Sequence, residues 1–518
     1  MKSNVKILTN DQSANIAIVL KSIIIGLVAG TVTILYRYTL SQAEGFAFGF
    51  YDTLAHHSWM IPLGFMALAV LALIVGTFVK HNPMISGSGI PQVEGILKGH
   101  LSDRKPWWDT LMSKFIGGAL AILAGLSLGR EGPSIQLGAS VAEGLGNKLE
   151  KGSLHRKILI ASGASAGLAA AFNAPLAGVV FALEEIFRYF SPVILLSLMT
   201  SAVTADFISS QVFGTSTIFH FELIRQIPLD QYWLLIILGI FVGIMGVLYN
   251  TVLIKTKRYY ASFKHVDLRI KLLVPFLMAG ILGLIFPIVL GGGHRMVEAL
   301  TLESGIWFLI LLFTVKFLFS MISFGSGAPG GIFFPLIILG STLGSIFASF
   351  AIGTMGIDQA LFNNFIILAM AGFFTSIVRA PITGIVLIME MTGNFAHILP
   401  LTIVAVVAYI VADLLKCPPV YDALLEDLIH NQTTPEPDEQ AQKVIVELLV
   451  RHGSSLANTL VKEIDWPANS LLVGIKRADK QLIPDGKSKI KEGDYLLVLA
   501  NMDQESQIHG WLEELNQP

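Results

Sequence analysis

Apolar runs recur along most of the chain, at about 17–40, 59–80, 111–128, 158–186, 191–213, 232–254, 272–291, 305–324, 331–352, 363–391 and 396–416. Many approach the roughly 20 residues that a helix needs to cross a bilayer. Several are cut by Gly and Pro, and some are too short or too long for one clean span. Broken helices of that kind persist at membrane depth only where the freed backbone lines a protein cavity. From about residue 417 the texture changes. "NQTTPEPDEQAQ" (431–442) is polar and contains proline, and period-two runs such as "VIVELLV" and "YLLVLA" follow it, with the turn signals "PDG" and "EGD" between. The pattern predicts an N-terminal segment over 1–16, an all-α polytopic membrane domain over 17–425, a linker over 426–442 and a small α+β domain over 443–518.

Composition agrees with a membrane protein. The 518 residues are 53% hydrophobic and only 14% charged, with a mean hydropathy of +0.67. The polar start "MKSNVKILTNDQSAN" lacks the apolar core of a removable signal peptide. Six Lys/Arg fall in 255–271, the segments 98–114 and 148–157 are also basic, and 41–58 and 353–364 have no Lys or Arg. The positive-inside rule then places the basic loops in the cytoplasm, together with both termini. Cys417 is the one cysteine, so an intramolecular disulfide is excluded. The net charge of −2 gives no sign of a nucleic-acid partner, and the twelve histidines show no metal-ligand spacing.

Two stretches echo two others. "NAPLAGVVFALEE" (173–185) aligns with "RAPITGIVLIMEM" (379–391) at an offset of 206, pairing Glu184 with Glu390, and "GREGPSIQLG" (129–138) aligns with "GIFFPLIILG" (331–340) at an offset of 202. Two motif pairs in matching order indicate two related halves. The broken segments between them suit the inverted topology common in secondary transporters.

"SGSGIPQ" (86–92), "GREGP" (129–133) and "GSGAPGGIFFP" (325–335) share one grammar: glycines, then a proline, then an apolar run. Pro suits the first turn of a helix, and Gly lets backbone come close. Each stretch therefore reads as a helix N-terminus inside the membrane, led by Gly87 and Gly89, by Gly129 and Gly132, and by Gly331. Such an end carries free N–H groups and roughly half a positive charge. Several aimed at one point hold an anion without the grip of a full cation. An acid, Glu131, sits in the middle of one of them. A carboxylate at membrane depth costs roughly 2.5–3.5 kcal/mol on insertion scales, but it is tolerated in a site already built for an anion. Arg130 beside it is expected at the protein–water boundary.

"GSGIP", "GREGP" and "GGIFFP", followed by the later Tyr421 of "PPVYDALL", resemble the CLC family of chloride channels and chloride/proton exchangers over about 15–425. The resemblance implies a homodimer with one pathway per subunit. It implies that Ser88, the backbone N–H groups of Ile332 and Phe333, and Tyr421 coordinate chloride. Glu131 would be the external gating carboxylate and Glu185 the internal proton-transfer carboxylate. Glu94 and Lys114 also match family positions and are expected to pair. Gln92, a position often Glu in relatives, departs from the pattern beside the motif. The implied activity is antiport of chloride and protons with no cofactor, and the alternative is a passive chloride channel of the same fold. "VGIKRADKQLIPDGKSKIKEGDYLLVL" (473–499) resembles the TrkA-C (RCK-C) regulatory domains of potassium channels and transporters, with a cytosolic nucleotide as candidate ligand. The expected location is the bacterial inner membrane. An enzyme reading rests only on "GASAG" (163–167), which fits a nucleophile motif around Ser165. The small residues flanking it favour close helix packing.

Overall fold

The structure is a computed structural model of the chain. It describes residues 2–101, 105–150, 153–188, 190–219, 221, 225–395, 397–432, 443–451, 453–468, 470–477, 480–501, 508, 510–512 and 515–516. The chain divides into two compact units, 1–431 and 432–518.

In the first unit, among the described residues, eight helices are long and apolar enough to cross a membrane: Ile16–His56, Ser58–His81, Pro192–Phe213, Leu229–Ser262, Leu268–Ile285, Ile306–Gly325, Phe333–Met355 and Gln359–Val378. Shorter apolar helices add Pro381–Thr392 and Ile398–Leu414. The expected N-terminal segment is not separate, because its backbone continues the first helix from Lys2. The apolar runs 158–186 and 363–391 each break where the sequence shows Asn-Ala-Pro and Arg-Ala-Pro. Asn173 and Arg379 take left-handed φ values of 52° and 70°. The alanine before each proline is non-helical, with ψ of 74° at Ala174 and 81° at Ala380, and a new helix starts at Pro175 or at Pro381. Proline disfavours a helical residue ahead of it and supplies no N–H to the helix before it.

The two halves repeat with inverted topology, and the contacts between them are reciprocal. Gly129 and Gly331, equivalent in the repeat, exchange N–H···O bonds of 2.7 and 2.8 Å. They form one antiparallel bridge across a local two-fold axis. Glu184 accepts from the N–H groups of Ile382 (3.2 Å) and Thr383 (2.8 Å), which open the Pro381 helix. Glu390 does the same for Leu176 (3.1 Å) and Ala177 (2.7 Å), which open the Pro175 helix. Each half thus caps a helix of the other with its own carboxylate, where the helix dipole favours negative charge.

The helices Glu131–Leu149 and Ser153–Phe172 press together through small residues. A Cβ on Gly138 would collide with the carbonyl of Gly163, and one on Gly167 with that of Ser134. Ser165 is buried in the same helix, and its carbonyl lies against Gly178. "GASAG" is a packing stripe here.

The helix Val420–Gln432 extends into the stretch read as a linker, of which 433–442 lies outside the described residues. In the second unit, strands β1 (Lys443–Leu449), β2 (Leu471–Arg477), β3 (Lys480–Leu482) and β4 (Tyr495–Asn501) form an antiparallel sheet in the order β1-β4-β2-β3. Val446, Leu448, Leu496 and Val498 alternate inward and pack with Ile475, Ile508 and Leu512, giving the unit its own core.

Candidate functional site

Three helix N-termini meet where the halves touch. The Gly129–Gly331 bridge sets the starts of the Glu131 and Phe333 helices side by side. The third helix begins at Ile90, and a Cβ on Gly132 would strike Ser88 just ahead of it. Gly89, at φ +94°, passes so close to Gln136 that no side chain fits there. First-turn N–H groups have no acceptor within their own helix, so the meeting point presents donors to whatever occupies it.

The Glu131 carboxylate is one occupant. Its Oε2 accepts from the Phe334 N–H at 3.3 Å, so the acid of one half sits on the helix N-terminus of the other. The side chain is fully buried, and Oε1 has no hydrogen-bond partner. Arg130 lies alongside at 3.8 Å, with its side chain 24% exposed. It lines a cavity of about 680 Å³ shared with Arg37, Glu44, Glu131, His294 and Phe334. Arg130 is therefore partly exposed in this cavity and also stands within ion-pair range of Glu131.

Ser88 is buried, and its Oγ accepts from the Ile90 N–H at 3.3 Å. Ile332 and Phe333 are buried at the head of their helix. Phe333 packs on Phe181, and Phe181 packs edge-on against the Tyr421 ring. The Tyr421 hydroxyl is buried without a partner. An unpaired hydroxyl in the interior is costly unless it meets an acceptor.

A second group of acids lies around Glu185, which sits in a π-helical turn, Ala182–Phe187. Glu185 is buried, and Arg188 reaches its Oε1 at 3.3 Å. The expected pairing of Glu94 with Lys114 does not occur. Glu94 pairs instead with Lys98, one turn along its own helix, at 2.6 Å. Lys114 is fully buried and donates to the carbonyls of Ile85 (2.8 Å) and Gly87 (2.6 Å).

That clasp has a counterpart the sequence reading missed. Lys316, 202 positions after Lys114, donates to Val289 (2.9 Å) and Gly291 (2.8 Å). Gly291 and Gly293 are left-handed, as Gly87 and Gly89 are. "LGGGHRM" (290–296) is thus the partner of "SGSGIPQ", with glycines as almost its only shared letters. Two sequence signals point to Lys316: the repeat offset and a charge inside the apolar run 305–324.

Residues 68–413 match the family model described as the voltage gated chloride channel, and 445–512 match the TrkA-C domain. The chain is 34% identical over 440 residues to the H(+)/Cl(-) exchange transporter ClcA of Salmonella arizonae, covering 81% of this chain and 92% of that protein. A solved structure of a slow cyanobacterial Cl-/H+ antiporter superposes with a TM-score of 0.76 at 32% identity, covering 80% of this chain and 99% of that one. A CLC-type fluoride/proton antiporter gives a TM-score of 0.65 at 25% identity, covering 79% and 97%. Family match, identity and fold agree: this chain belongs to the CLC, or voltage gated chloride channel, family of membrane transport proteins.

Proposed function

We propose that the protein is a secondary active antiporter exchanging chloride for protons, with Glu131 as both gate and proton carrier. The observation that carries this reading is the Glu131 carboxylate on the Phe334 N–H, fully buried at the junction of the two halves. A carboxylate there stands where an anion would, so the two compete. A chloride about 4 Å away repels it by about 4 kcal/mol at an effective dielectric of 20. Protonation removes that repulsion and releases the side chain, so chloride entry and proton uptake favour each other. Ionised Glu131 closes the path. Ser88, the N–H groups of Ile332 and Phe333, and Tyr421 coordinate chloride in this reading. The orphaned Tyr421 hydroxyl supports it. Glu185 takes the proton on the inner side, away from the anion path.

Chloride, not fluoride, is the proposed substrate. The exchanger named for chloride is the nearer of the compared relatives, and fluoride holds its water more strongly. The unit works as a homodimer in a bacterial inner membrane, its exposed apolar side chains meeting lipid. Both termini are cytoplasmic. Arg258 of the basic segment pairs with Asp427 at 3.2 Å, which supports the C-terminal exit on that side. The TrkA-C-like unit regulates transport in response to a cytosolic nucleotide, and the transport path itself needs no cofactor.

The test is purified protein in liposomes with chloride flux and pH recorded together. A chloride gradient should drive protons uphill. Chloride flux without any proton movement would assign the passive-channel alternative.

A further inference from the structure

One nitrogen, Nη2 of Arg188, faces three carboxylates: Asp422 at 2.8 Å, Glu185 at 3.3 Å and Glu94 at 3.8 Å. The distances rank the partners. Arg188 is anchored on Asp422, bonds weakly to Glu185 and lies beyond hydrogen-bond reach of Glu94. Exposure ranks them too. The side chains of Glu94 and Glu185 are 0% and 3% exposed, whereas those of Arg188 and Asp422 are 35% and 28% exposed. The guanidinium therefore stands between water and the two buried acids. Arg188 also takes a left-handed φ of 51° directly after the π-helical turn, a conformation that an arginine adopts only under constraint. Asp422 follows Tyr421 at the start of the Val420–Gln432 helix, so its position is set by a different element from the one carrying Glu185.

We infer that Asp422 is a positioning residue for proton transfer: it keeps Arg188 from closing fully on Glu185, which receives only one long bond of 3.3 Å, so that the inner carboxylate can take up and release protons. This rests on the antiporter reading above. Arg188 is always charged and forms its strongest bonds to ionised carboxylates. Without Asp422 its nearest remaining acceptor is Glu185 Oε1. A guanidinium closed onto that carboxylate would keep it ionised and stand in the proton's way. The other charges facing Glu185 do not substitute for Asp422. Glu94 is already taken by Lys98 at 2.6 Å. Glu184 is committed to the N–H groups of Ile382 and Thr383.

The test uses the full-length protein in liposomes, with chloride and proton fluxes recorded together. Asp422→Asn keeps the shape and removes the charge. Chloride turnover should stay within about twofold of wild type, and protons moved per chloride should fall about tenfold, the factor that about 1.4 kcal/mol makes. Asp422→Glu should restore the ratio. In the Asp422→Asn background, Arg188→Asn should restore it as well, because the cation that closes on Glu185 is gone and Asn tolerates the left-handed backbone. The inference is overturned if Asp422→Asn lowers both fluxes equally, which would place Asp422 in support of Tyr421 alone. It is also overturned if Arg188→Asn deepens the loss. Failure of the antiporter reading appears separately, as absent proton movement in the wild type.

Discussion

At the scale of single residues, Glu131 and Glu185 are both buried acids, but they differ in what surrounds them. Glu131 rests on a backbone N–H beside the cavity that Arg130 lines, whereas Glu185 sits behind Arg188. Glu131→Gln is neutral at every pH and no longer competes as an anion. Chloride should still cross, uphill proton movement should vanish, and the dependence on outer pH should go with it. Glu185→Gln should also lose coupling, yet keep the outer pH dependence, because Glu131 still titrates. Flux measurements at varied outer pH separate the two, and uphill pumping by a folded Glu131→Gln protein would remove Glu131 from its role. The buried lysines make a second pair. Replacing either by Met leaves two interior carbonyls without a donor, at about 1–3 kcal/mol each. Thermal denaturation in detergent should show comparable losses for Lys114→Met and Lys316→Met. Only Lys114 holds the turn ahead of Ser88, so only its loss should also weaken chloride binding, read by calorimetry.

At the scale of elements, the exchanged caps decide how the halves lock. Glu184 and Glu390 each satisfy two orphan N–H groups on a helix of the opposite half. Side-chain capping of this kind contributes about 1 kcal/mol. Glu184→Ala and Glu390→Ala should therefore lower stability by similar amounts, measured as the midpoint of unfolding. A large loss from one and none from the other would contradict their equivalence. The helix breaks obey local chemistry at the same places in both halves: a left-handed residue, a non-helical alanine and then proline.

At the scale of the whole molecule, the two units carry separate cores. Deleting 443–518 should leave chloride flux intact and change its regulation; a folded but inactive truncation would make the tail part of the transport machinery. The tail also has a pH-sensitive clasp. Burial by itself raises the Asp494 carboxyl, but the Arg477 fork at 2.7 Å to both oxygens and the Lys491 N–H at 2.8 Å outweigh it and hold the carboxyl below the usual carboxylate range. The unfolded chain thus takes up this proton first as pH falls. The clasp's contribution is fully present above the ordinary aspartate value of about 3.9 and is lost as pH drops through the lower folded value. Denaturant unfolding of 443–518 should show the loss as pH falls below the ordinary aspartate value of about 3.9, and Arg477→Met should remove that part of the dependence.

The sequence by itself determined the membrane class, the broken helices, the distinct tail and the internal repeat. Each rests on local signals: apolar run length, Gly and Pro punctuation, period-two alternation and a recurring motif. It also singled out Glu131, because an acid inside a Gly-Pro helix start contradicts its apolar surroundings. The tertiary structure decided who meets whom. Lys98 displaced Lys114 as the partner of Glu94 because it lies one turn away on the same helix, whereas Lys114 faces the carbonyls of the glycine turn. The bridge between Gly129 and Gly331, the capping exchange of Glu184 and Glu390, and the sharing of Arg188 with Asp422 join positions about two hundred residues apart. No local pattern encodes such pairs. They follow from folding two inverted halves against each other, which brings charged side chains of one half to the free helix ends and loops of the other.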